Sequence, residues 1–441
     1  MAFEMYRGQV YRVDRGDTEL VVLPAEFIPE LNHLSESILS SRAAHSYNLV
    51  GHLNGVDIVK TSNLHFKTIM NKVTPALPSM TAPLKQRLCQ DIDLVFPQSK
   101  ECWESIEPLN KVVYCISSAF SMIAVGELIC ENPEHVRLMS EQAILVFKIV
   151  VIMRFVPLVL QRFLVWFLPA KWKLERNLKT LEGMVIPEVH KRMSQKEMLD
   201  DPNLLSWMIQ ASRNEMERDP RILSRLQAAT ASGGTHSVGM FIASALFDLV
   251  AHPELFGKIQ EEIQAKQEEI DGVWDHSAYD SLYKLDSALK ETARLGPPTM
   301  TVYNRQLQSD YTLSNGVLLR KGQLICVSAC SIQDDDMVFP NAQCYDGLRA
   351  YEQSLRDGQA HPFKFVDGEL GWGSGRWACP GRFLAVLETK IMLVKLLTGY
   401  DFKLLPGNSR PQRFTFHDFG FIGEHERLLV RRKSRSLIGS N

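Results

Sequence analysis

The sequence contains the run Trp372-Gly373-Ser374-Gly375-Arg376-Trp377-Ala378-Cys379-Pro380-Gly381-Arg382, with one cysteine among three glycines. Glycines let the backbone turn tightly and approach a flat ligand where a β-carbon would collide with it. Beyond the run, apolar residues recur at helical spacing, which predicts a buried helix that begins beside Cys379 and ends at Gly399. The unpaired amides and the dipole at the start of such a helix favour an anion, so we expect Cys379 to be a metal-ligating thiolate.

The residues after the cysteine limit how its sulfur can be stabilised. Pro380 has no N–H group, so an amide hydrogen bond to the sulfur would come from Gly381 or Arg382. A lone cysteine is more often a small buried apolar residue. The surrounding glycines favour the ligand over that alternative.

The run resembles the cysteine loop of the cytochromes P-450, which reads aromatic-Gly-x-Gly-x-x-x-Cys-x-Gly. The resemblance implies haem b (iron protoporphyrin IX), with Cys379 as the ligand of the iron and with Trp372, Gly373 and Gly381 at the cofactor. Trp377 departs from the family, which usually carries Arg or His there as a donor to a haem propionate. An indole N–H can still donate one neutral hydrogen bond, so Trp377 stays a cofactor-binding residue.

A second motif is Glu291-Thr292-Ala293-Arg294, followed at a distance by Arg349. A carboxylate and a guanidinium three residues apart share one face of a helix. Taken alone, such a pair is usually a solvated surface pair. The resemblance implies instead that Glu291, Arg294 and Arg349 form a structural triad behind the haem. It also implies that Arg305 contacts a haem propionate, the alternative being a surface arginine.

A third motif lies in a helix predicted from Arg221 to Ala251, whose middle reads Ala231-Ser232-Gly233-Gly234-Thr235-His236-Ser237. Two glycines inside a helix cost about 1 kcal/mol each relative to alanine, so we expect a ligand to lie against this helix. The resemblance places oxygen activation here, with His236 where the family has an acid and Ser237 where it has threonine. We expect both to be catalytic as proton relays, and the alternative is a glycine notch for helix packing.

Composition indicates a large soluble globule. The chain has 441 residues, 45% hydrophobic and 23% charged, with a net charge of −2, which implies no nucleic-acid partner. No linker or repeat divides it, so we predict one domain over residues 1–441 with a haem-binding core at about 221–400. The resemblance implies a mainly α fold with small β-sheets (α+β), the cytochrome P-450 fold, in which a helical core sandwiches haem beside a β-rich N-terminal lobe. Eight cysteines show no disulfide or zinc spacing, which fits a reducing compartment.

The start of the chain shows no signal peptide or membrane anchor, only strand-like segments at 9–13 and 19–23. Because eukaryotic family members usually begin with an anchor, we expect the cytoplasmic face of the endoplasmic reticulum if a full-length form carries one. As given, the chain is expected to be soluble and cytoplasmic. The apolar tract 143–169 contains three cations and a proline, which favours peripheral membrane contact over a membrane-spanning helix.

Substrate contacts follow from position in the family fold. They are expected at Gly233, Gly234, Pro298, Thr299, Met300 and Phe421. Mostly apolar linings suit a lipophilic small molecule. The sequence around Cys379 resembles fungal secondary-metabolite members, including ent-kaurene-oxidase-like enzymes, which implies a terpenoid, with a polyketide or an indole-terpenoid as alternatives.

The activity implied is monooxygenation, in which one oxygen atom from O₂ enters a C–H bond. Electrons would come from an NADPH-cytochrome reductase, because the chain has no Gly-x-Gly-x-x-Gly dinucleotide loop. Arg376, Arg382 and Lys390 could steer that acidic partner, or could be ordinary solvated charges. Two other functions stay open: a haem-thiolate isomerase or dehydratase that needs no external electrons, and a truncated non-catalytic haem-binding protein.

Overall fold

The computed structural model describes residues 6–194, 202–329, 333, 335–365 and 370–434. The α-helices of these ranges are α1 Ile28–Asn32, α2 Ser41–Asn48, α3 Gly51–Asn54, α4 Ile58–Thr61, α5 Leu64–Thr68, α6 Thr74–Val95, α7 Pro108–Val125, α8 Glu127–Cys130, α9 Pro133–Met153, α10 Leu158–Leu164, α11 Pro169–Ser194, α12 Leu204–Ala211, α13 Glu215–Arg218, α14 Pro220–Gly234, α15 His236–Ala251, α16 Pro253–Glu269, α17 His276–Asp280, α18 Tyr283–Leu295, α19 Arg349–Asp357 and α20 Arg382–Gly399. One π turn and three 3₁₀ turns are Ile69–Val73, Ala25–Phe27, Val165–Phe167 and Gly375–Trp377.

Short strands form small sheets beside the helices. They are β1 Tyr11–Asp14, β2 Glu19–Val22, β3 Leu39–Ser40, β4 Glu104–Ile106, β5 Thr301–Leu307, β6 Tyr311–Thr312, β7 Leu318–Leu319, β8 Leu324–Ser328, β9 Tyr400–Leu404, β10 Phe414–Phe416, β11 Phe419–Phe421 and β12 Leu428–Arg432. One sheet has the order β1-β2-β8-β5-β3, in which only β2 and β8 are parallel. The others have the orders β4-β12-β9, β10-β11 and β6-β7.

The main core forms where α6, α7, α15 and α20 pack together. Helix α20 is buried on all sides from Val386 to Val394 and is therefore a central helix, not an amphipathic one at the surface. Its Lys390 is only 1% exposed and donates to Asp286 at 2.8 Å and to the carbonyl of Tyr279 at 2.9 Å. The expectation that Lys390 is part of a partner-facing charged surface is wrong, because this side chain lies in the core.

Several predicted elements are found within one or two residues. The strands expected at 9–13 and 19–23 are β1 and β2, and α20 ends at Gly399. The long helix expected from Arg221 to Ala251 is found as one helical stretch, Pro220–Ala251, which a single bent residue, Thr235, divides into α14 and α15. The Thr235 hydroxyl donates to the carbonyl of Ala231 at 2.9 Å, which gives the backbone an alternative to the regular ladder.

The apolar tract 143–169 is also divided, into the end of α9, helix α10 and a 3₁₀ turn. Two helical stretches are long and apolar enough to cross a membrane, Pro108–Val125 and Pro220–Ala251, and 78% and 61% of their apolar windows are buried inside the protein. Both lie in the core of the protein.

Candidate active site

The cysteine loop is built by two glycines and one backbone hydrogen bond. Gly373 and Gly375 have φ of 78° and 63°, a left-handed backbone that side chains rarely adopt. A β-carbon at Gly375 would also lie 2.7 Å from the Asn32 side chain. The amide of Cys379 then donates to the carbonyl of Trp372 at 2.7 Å, which closes the loop just before α20.

Two backbone amides and one side-chain charge oppose the effect of burial on the sulfur of Cys379. Burial raises the pKa of the Cys379 thiol, while the amides of Gly381 and Arg382 and the Arg382 charge lower it. Burial is the largest of these effects. A coordinated metal ion would supply the remaining stabilisation, because it deprotonates a thiol outright.

A cavity of about 270 Å³ opens beside the sulfur. Its lining is mostly apolar and comes from the loop 371–379 and from α15, α18, α20, β11 and the segments around them. The predicted residues on its wall are Trp372, Cys379, Ser237, Pro298 and Phe421. An added β-carbon at Gly381 would meet no protein atom within 4 Å, so the chain leaves space beside the sulfur.

The start of helix α15 brings a polar side chain, Ser237, to the cavity wall. The Ser237 hydroxyl donates to the carbonyl of Gly233 at 2.6 Å, so its oxygen remains able to accept a hydrogen bond from the cavity. His236 is 9% exposed and is not part of the cavity wall, and its Nδ1 is buried without a partner among the described residues. Burial lowers the pKa of His236 despite the nearby charge of Glu424, which favours a neutral imidazole.

Four predicted substrate residues lie off the cavity wall. Gly233 and Gly234 are on α14, where a β-carbon at Gly234 would touch the Phe120 ring at 3.7 Å. Thr299 and Met300 contact the segment that leads to the cavity wall through their backbones. Thr299 forms an antiparallel β-bridge with Phe419, and the Met300 amide donates to the Asp418 carbonyl at 2.7 Å.

Sequence reasoning missed Arg413, which brings a cation to the cavity wall. It donates to the carbonyl of Thr292 at 3.1 Å and to Asp248 at 3.4 Å, and its Nε is buried with no partner among the residues that the structure describes. Burial lowers the pKa of Arg413 to about 10, which still leaves it charged at neutral pH. Its guanidinium lies against Gly296, where any β-carbon would overlap it. This glycine at the end of α18 is therefore the sequence feature that could have indicated a side chain packed there.

Arg305 lies near the other side of the cysteine loop. It is 6% exposed, donates to the carbonyl of Asn304 at 2.9 Å and stacks on the Tyr303 ring at 4.1 Å. The hydroxyl of Tyr303 donates to Asn32, whose amide donates to Ser374 of the loop at 3.1 Å. The surface alternative for Arg305 is therefore excluded.

Two buried side-chain nitrogens have no hydrogen-bond partner in the part of the chain that the structure describes. The indole Nε1 of Trp377 and the Nδ1 of His65 are both without partners among the described residues. The Trp377 ring packs on Phe66 at 5.2 Å and under Arg42 at 5.9 Å. Burial, with the charges of His45 and Arg42, lowers the pKa of His65 to about 4. His65 was not foreseen, since nothing in the sequence pairs it with residues over three hundred positions away.

These features fit a haem. A sulfur with two amide donors, open space beside Gly381 and an apolar cavity suit a flat ligand bound through its metal. The indole N–H of Trp377 and the buried cation of Arg305 suit carboxylates at the edge of that ligand, and His65 can donate to one when its Nδ1 carries the proton.

The second motif forms one network. Arg294 binds Glu291 through two hydrogen bonds of 2.8 and 2.7 Å, and Arg349 approaches the same carboxylate at 3.4 Å. The amide of Asp346 adds a bond of 3.0 Å. Glu291 and Arg294 are almost completely buried, so the solvated surface pair is excluded, and the network joins α18 to the segment before α19.

Of the cations expected near a partner, Arg376 is exposed, whereas Arg382 is half-buried and donates to the carbonyl of Cys379 at 2.8 Å. Arg382 therefore belongs to the cysteine loop more than to the surface.

The family model described as cytochrome P-450 matches residues 1–430. A cytochrome P-450 monooxygenase of Emericella nidulans is 31% identical over 439 residues, which cover 98% of this chain and 82% of that protein. An ent-kaurene oxidase of Gibberella intermedia is 27% identical over 440 residues, with 98% of this chain and 82% of that protein covered. A crystal structure of a cytochrome P-450 has a TM-score of 0.75 at 16% identity, over 98% of this chain and 96% of that one. This likeness confirms the predicted fold class.

Proposed function

The chain belongs to the cytochrome P-450 family, and on that premise we propose that it is a haem-thiolate monooxygenase of a lipophilic secondary metabolite. It inserts one oxygen atom from O₂ into a C–H bond of a terpenoid, with electrons from an NADPH-cytochrome reductase. The observation that carries the proposal is the apolar cavity that joins Cys379 to Ser237.

Cys379 would hold the iron, with Gly381 and Arg382 donating their amides to its sulfur. Trp377, His65 and Arg305 would hold the carboxylate edge. Haem b, when bound, supplies an iron that activates O₂, and its thiolate ligand favours O–O cleavage. The protein itself positions the substrate, excludes water with an apolar wall and delivers protons.

Proton delivery is assigned to Ser237 and His236. The Ser237 hydroxyl, fixed by Gly233, presents its oxygen to the cavity. The neutral imidazole of His236 can carry a proton from the interior toward that hydroxyl. His236→Ala is expected to release more peroxide per NADPH consumed at unchanged substrate affinity, and unchanged coupling would reject the relay.

Two observations support the proposal that the substrate is a terpenoid. The cavity wall is mostly apolar, and one relative is named for the oxidation of ent-kaurene. Arg413 and Ser244 are polar points on this wall and can orient an oxygen atom that the substrate already carries.

We assign the reductase and the membrane to different surfaces of the protein. Arg376 is the exposed cation beside the cysteine loop and can attract an acidic reductase. The apolar segment 155–167 exposes Phe155 by 70%, Val159 by 79% and Phe167 by 81%. We assign this segment to peripheral contact with the cytoplasmic face of the endoplasmic reticulum, because patches of this kind seldom face water.

The deciding experiment uses the haem-loaded protein with NADPH-cytochrome reductase, NADPH and a panel of terpene hydrocarbons that includes ent-kaurene, under ¹⁸O₂. One ¹⁸O atom per product is expected. A product formed without O₂ and reductase would identify the isomerase or dehydratase. A normal haem spectrum without turnover of any terpene, polyketide or indole-terpenoid would favour the non-catalytic haem protein.

A further inference from the structure

Arg413 places a positive charge on the wall of a mostly apolar cavity. Its side chain is 18% exposed and lies 3.4 Å from the carboxylate of Asp248, which Arg410 also binds at 2.7 Å. Neither arginine has another ion-pair partner in the part of the chain that the structure describes. Because two guanidinium groups share one carboxylate, one positive charge of this group is not balanced.

The hydrogen bonds of Arg413 leave most of its donors unused. A guanidinium has five N–H groups. Those of Arg413 donate to the carbonyl of Thr292 at 3.1 Å and to Asp248 at 3.4 Å, whereas Nε is buried with no partner among the described residues. Burial and the charge of Arg410 lower the pKa of Arg413 to about 10 despite Asp248, which agrees with a shortage of negative charge here. A further anion would supply both the charge and the acceptors that Arg413 lacks.

The position of Arg413 defines a polar end of the cavity. Ser244 also lines the cavity, and it is one turn before Asp248 on the same face of α15. Since Arg413 binds Asp248, Arg413 and Ser244 lie at the same end. Ser237 is on the wall seven residues before Ser244, which is about 10 Å along the helix axis. The polar end is therefore two helical turns away from the hydroxyl that we assign to proton delivery.

The carboxylates of a haem have other partners in this protein. Trp377, His65 and Arg305 are assigned to them, and none of these three residues lines the cavity with Arg413. Arg413 instead precedes β10 and packs against Gly296 at the end of α18. The anion that Arg413 lacks is therefore expected to belong to the substrate.

We propose that Arg413 is a specificity-determining residue for a lipophilic carboxylic acid, whose carboxylate it binds at the polar end while the hydrocarbon part lies along the apolar wall toward Ser237 and Cys379. The inference rests on the proposed function in taking the cavity as the substrate's, and it narrows the terpenoid to a terpenoid acid. A carboxylate matches the planar fork of a guanidinium and can accept two hydrogen bonds from it. The methyl ester of the same acid keeps the hydrocarbon part but has no charge, so a comparison of acid and ester separates this contact from apolar burial.

The test measures the dissociation constants of dodecanoic acid, abietic acid and their methyl esters for the haem-loaded protein by equilibrium dialysis. Arg413→Gln removes the charge. Asp248 then keeps its bond to Arg410 at 2.7 Å and accepts from the Thr292 hydroxyl at 3.0 Å, so no buried carboxylate is left unpaired. Arg431→Gln is the matched control, because the same chemical change removes a half-exposed cation of β12 that does not line the cavity.

At least one of the two acids is expected to bind the wild type more tightly than its own ester does. Arg413→Gln should weaken binding of that acid by roughly 10- to 150-fold, the effect of hydrogen bonds to a charged group, and should change binding of the ester by less than about twofold. Arg431→Gln should change neither. The proposal is overturned if neither acid binds the wild type better than its ester, or if Arg413→Gln weakens the binding of acid and ester equally.

Two further measurements distinguish the source of the anion and the fate of the proposed function. If Arg413→Gln transferred haem to apomyoglobin faster than the wild type and bound the acids unchanged, the anion would be a haem propionate and the proposal would be overturned. A wild type that binds an acid through Arg413 but forms no ¹⁸O product with reductase would contradict the proposed function and support the carboxylate site. Turnover of terpene hydrocarbons with equal binding of acids and esters would contradict the carboxylate site alone.

Discussion

Trp377 shows how one residue can keep a role after a change of side chain. Where relatives of this fold were expected to carry a cation, this chain has an indole whose buried N–H meets no acceptor in the described part of the chain. The ring itself is well packed against Phe66. A substitution of Trp377 can therefore remove the N–H donor while it keeps the packing of the ring.

We predict that Trp377→Phe keeps the fold but weakens haem retention. It removes one neutral hydrogen bond, worth about 0.5–1.5 kcal/mol, so haem should leave roughly two- to tenfold faster. Transfer of haem to apomyoglobin measures this rate. Trp172→Phe is the control, since Trp172 is 59% exposed. Equal rates in wild type and Trp377→Phe would contradict the assigned contact.

Glu388 gives a prediction about pH. It is 2% exposed on α20, and burial raises its pKa from 4.5 to about 8. Between these values the folded protein keeps a proton that the unfolded chain releases, so stability contributed by this group falls as pH rises, by up to about 1.4 kcal/mol per pH unit. Glu388→Gln should therefore flatten the decline of the unfolding free energy between about pH 5 and pH 8.

Urea unfolding at several pH values measures that slope. The exposed Glu261→Gln controls for the loss of one carboxylate on a helix. A slope in Glu388→Gln as steep as in the wild type would show that this carboxyl is solvated and ionised in the folded protein.

At the scale of elements, helix packing depends on where small residues lie. Gly239 is buried on α15, and a β-carbon there would lie 2.5 Å from a Val113 methyl group and 3.2 Å from its backbone on α7. By contrast, Gly257 on α16 has no atom within 4 Å of such a β-carbon. Substitutions at these two glycines therefore distinguish an effect on helix packing from an effect on helix propensity.

We predict that Gly239→Ala destabilises the protein by about 1–3 kcal/mol through overpacking. Gly257→Ala should instead stabilise it by about 0.5–1 kcal/mol, because alanine has less conformational freedom to lose on folding. Chemical denaturation gives both values. A neutral Gly239→Ala would mean that α7 and α15 are not packed this closely.

Elements with strong local signals were predictable, and those set by distant contacts were not. The left-handed backbone at Gly373 and Gly375 agrees with the tight turn that these glycines predicted. The bend at Thr235, by contrast, was not predicted, because the helical pattern runs through this residue without interruption. Lys390 looked like a surface cation because only the folded chain brings Asp286 to it.

The whole molecule is joined by buried charge networks between segments far apart in sequence. The Glu291 network links α18 to the first residue of α19. The sequence predicted this network through its resemblance to a known family, whereas the buried ion pair of Arg154 with Asp418 has no local signal. Ion pairs between segments far apart in sequence were therefore predictable only where the family resemblance indicated them.

We predict that Glu291→Ala yields little soluble, haem-loaded protein. Removing this carboxylate leaves the guanidinium of Arg294, with a 0% exposed side chain, unpaired at a cost of about 3–5 kcal/mol, a large share of a domain's stability. Glu182→Ala is the control, since it breaks a half-exposed pair with Arg225 that is worth under about 1 kcal/mol. Equal recovery of both variants would show that the buried network is dispensable.

The carbon monoxide difference spectrum of the dithionite-reduced protein tests the central assignment, that Cys379 is the ligand of a haem iron. Thiolate ligation predicts a strongly red-shifted Soret band in the wild type and in Cys102→Ser, whose cysteine is exposed. Cys379→Ser, which keeps nearly the same volume, should bind haem but lose that band. A wild type that holds haem without the red-shifted band, or a Cys379→Ser variant that retains it, would contradict the assignment.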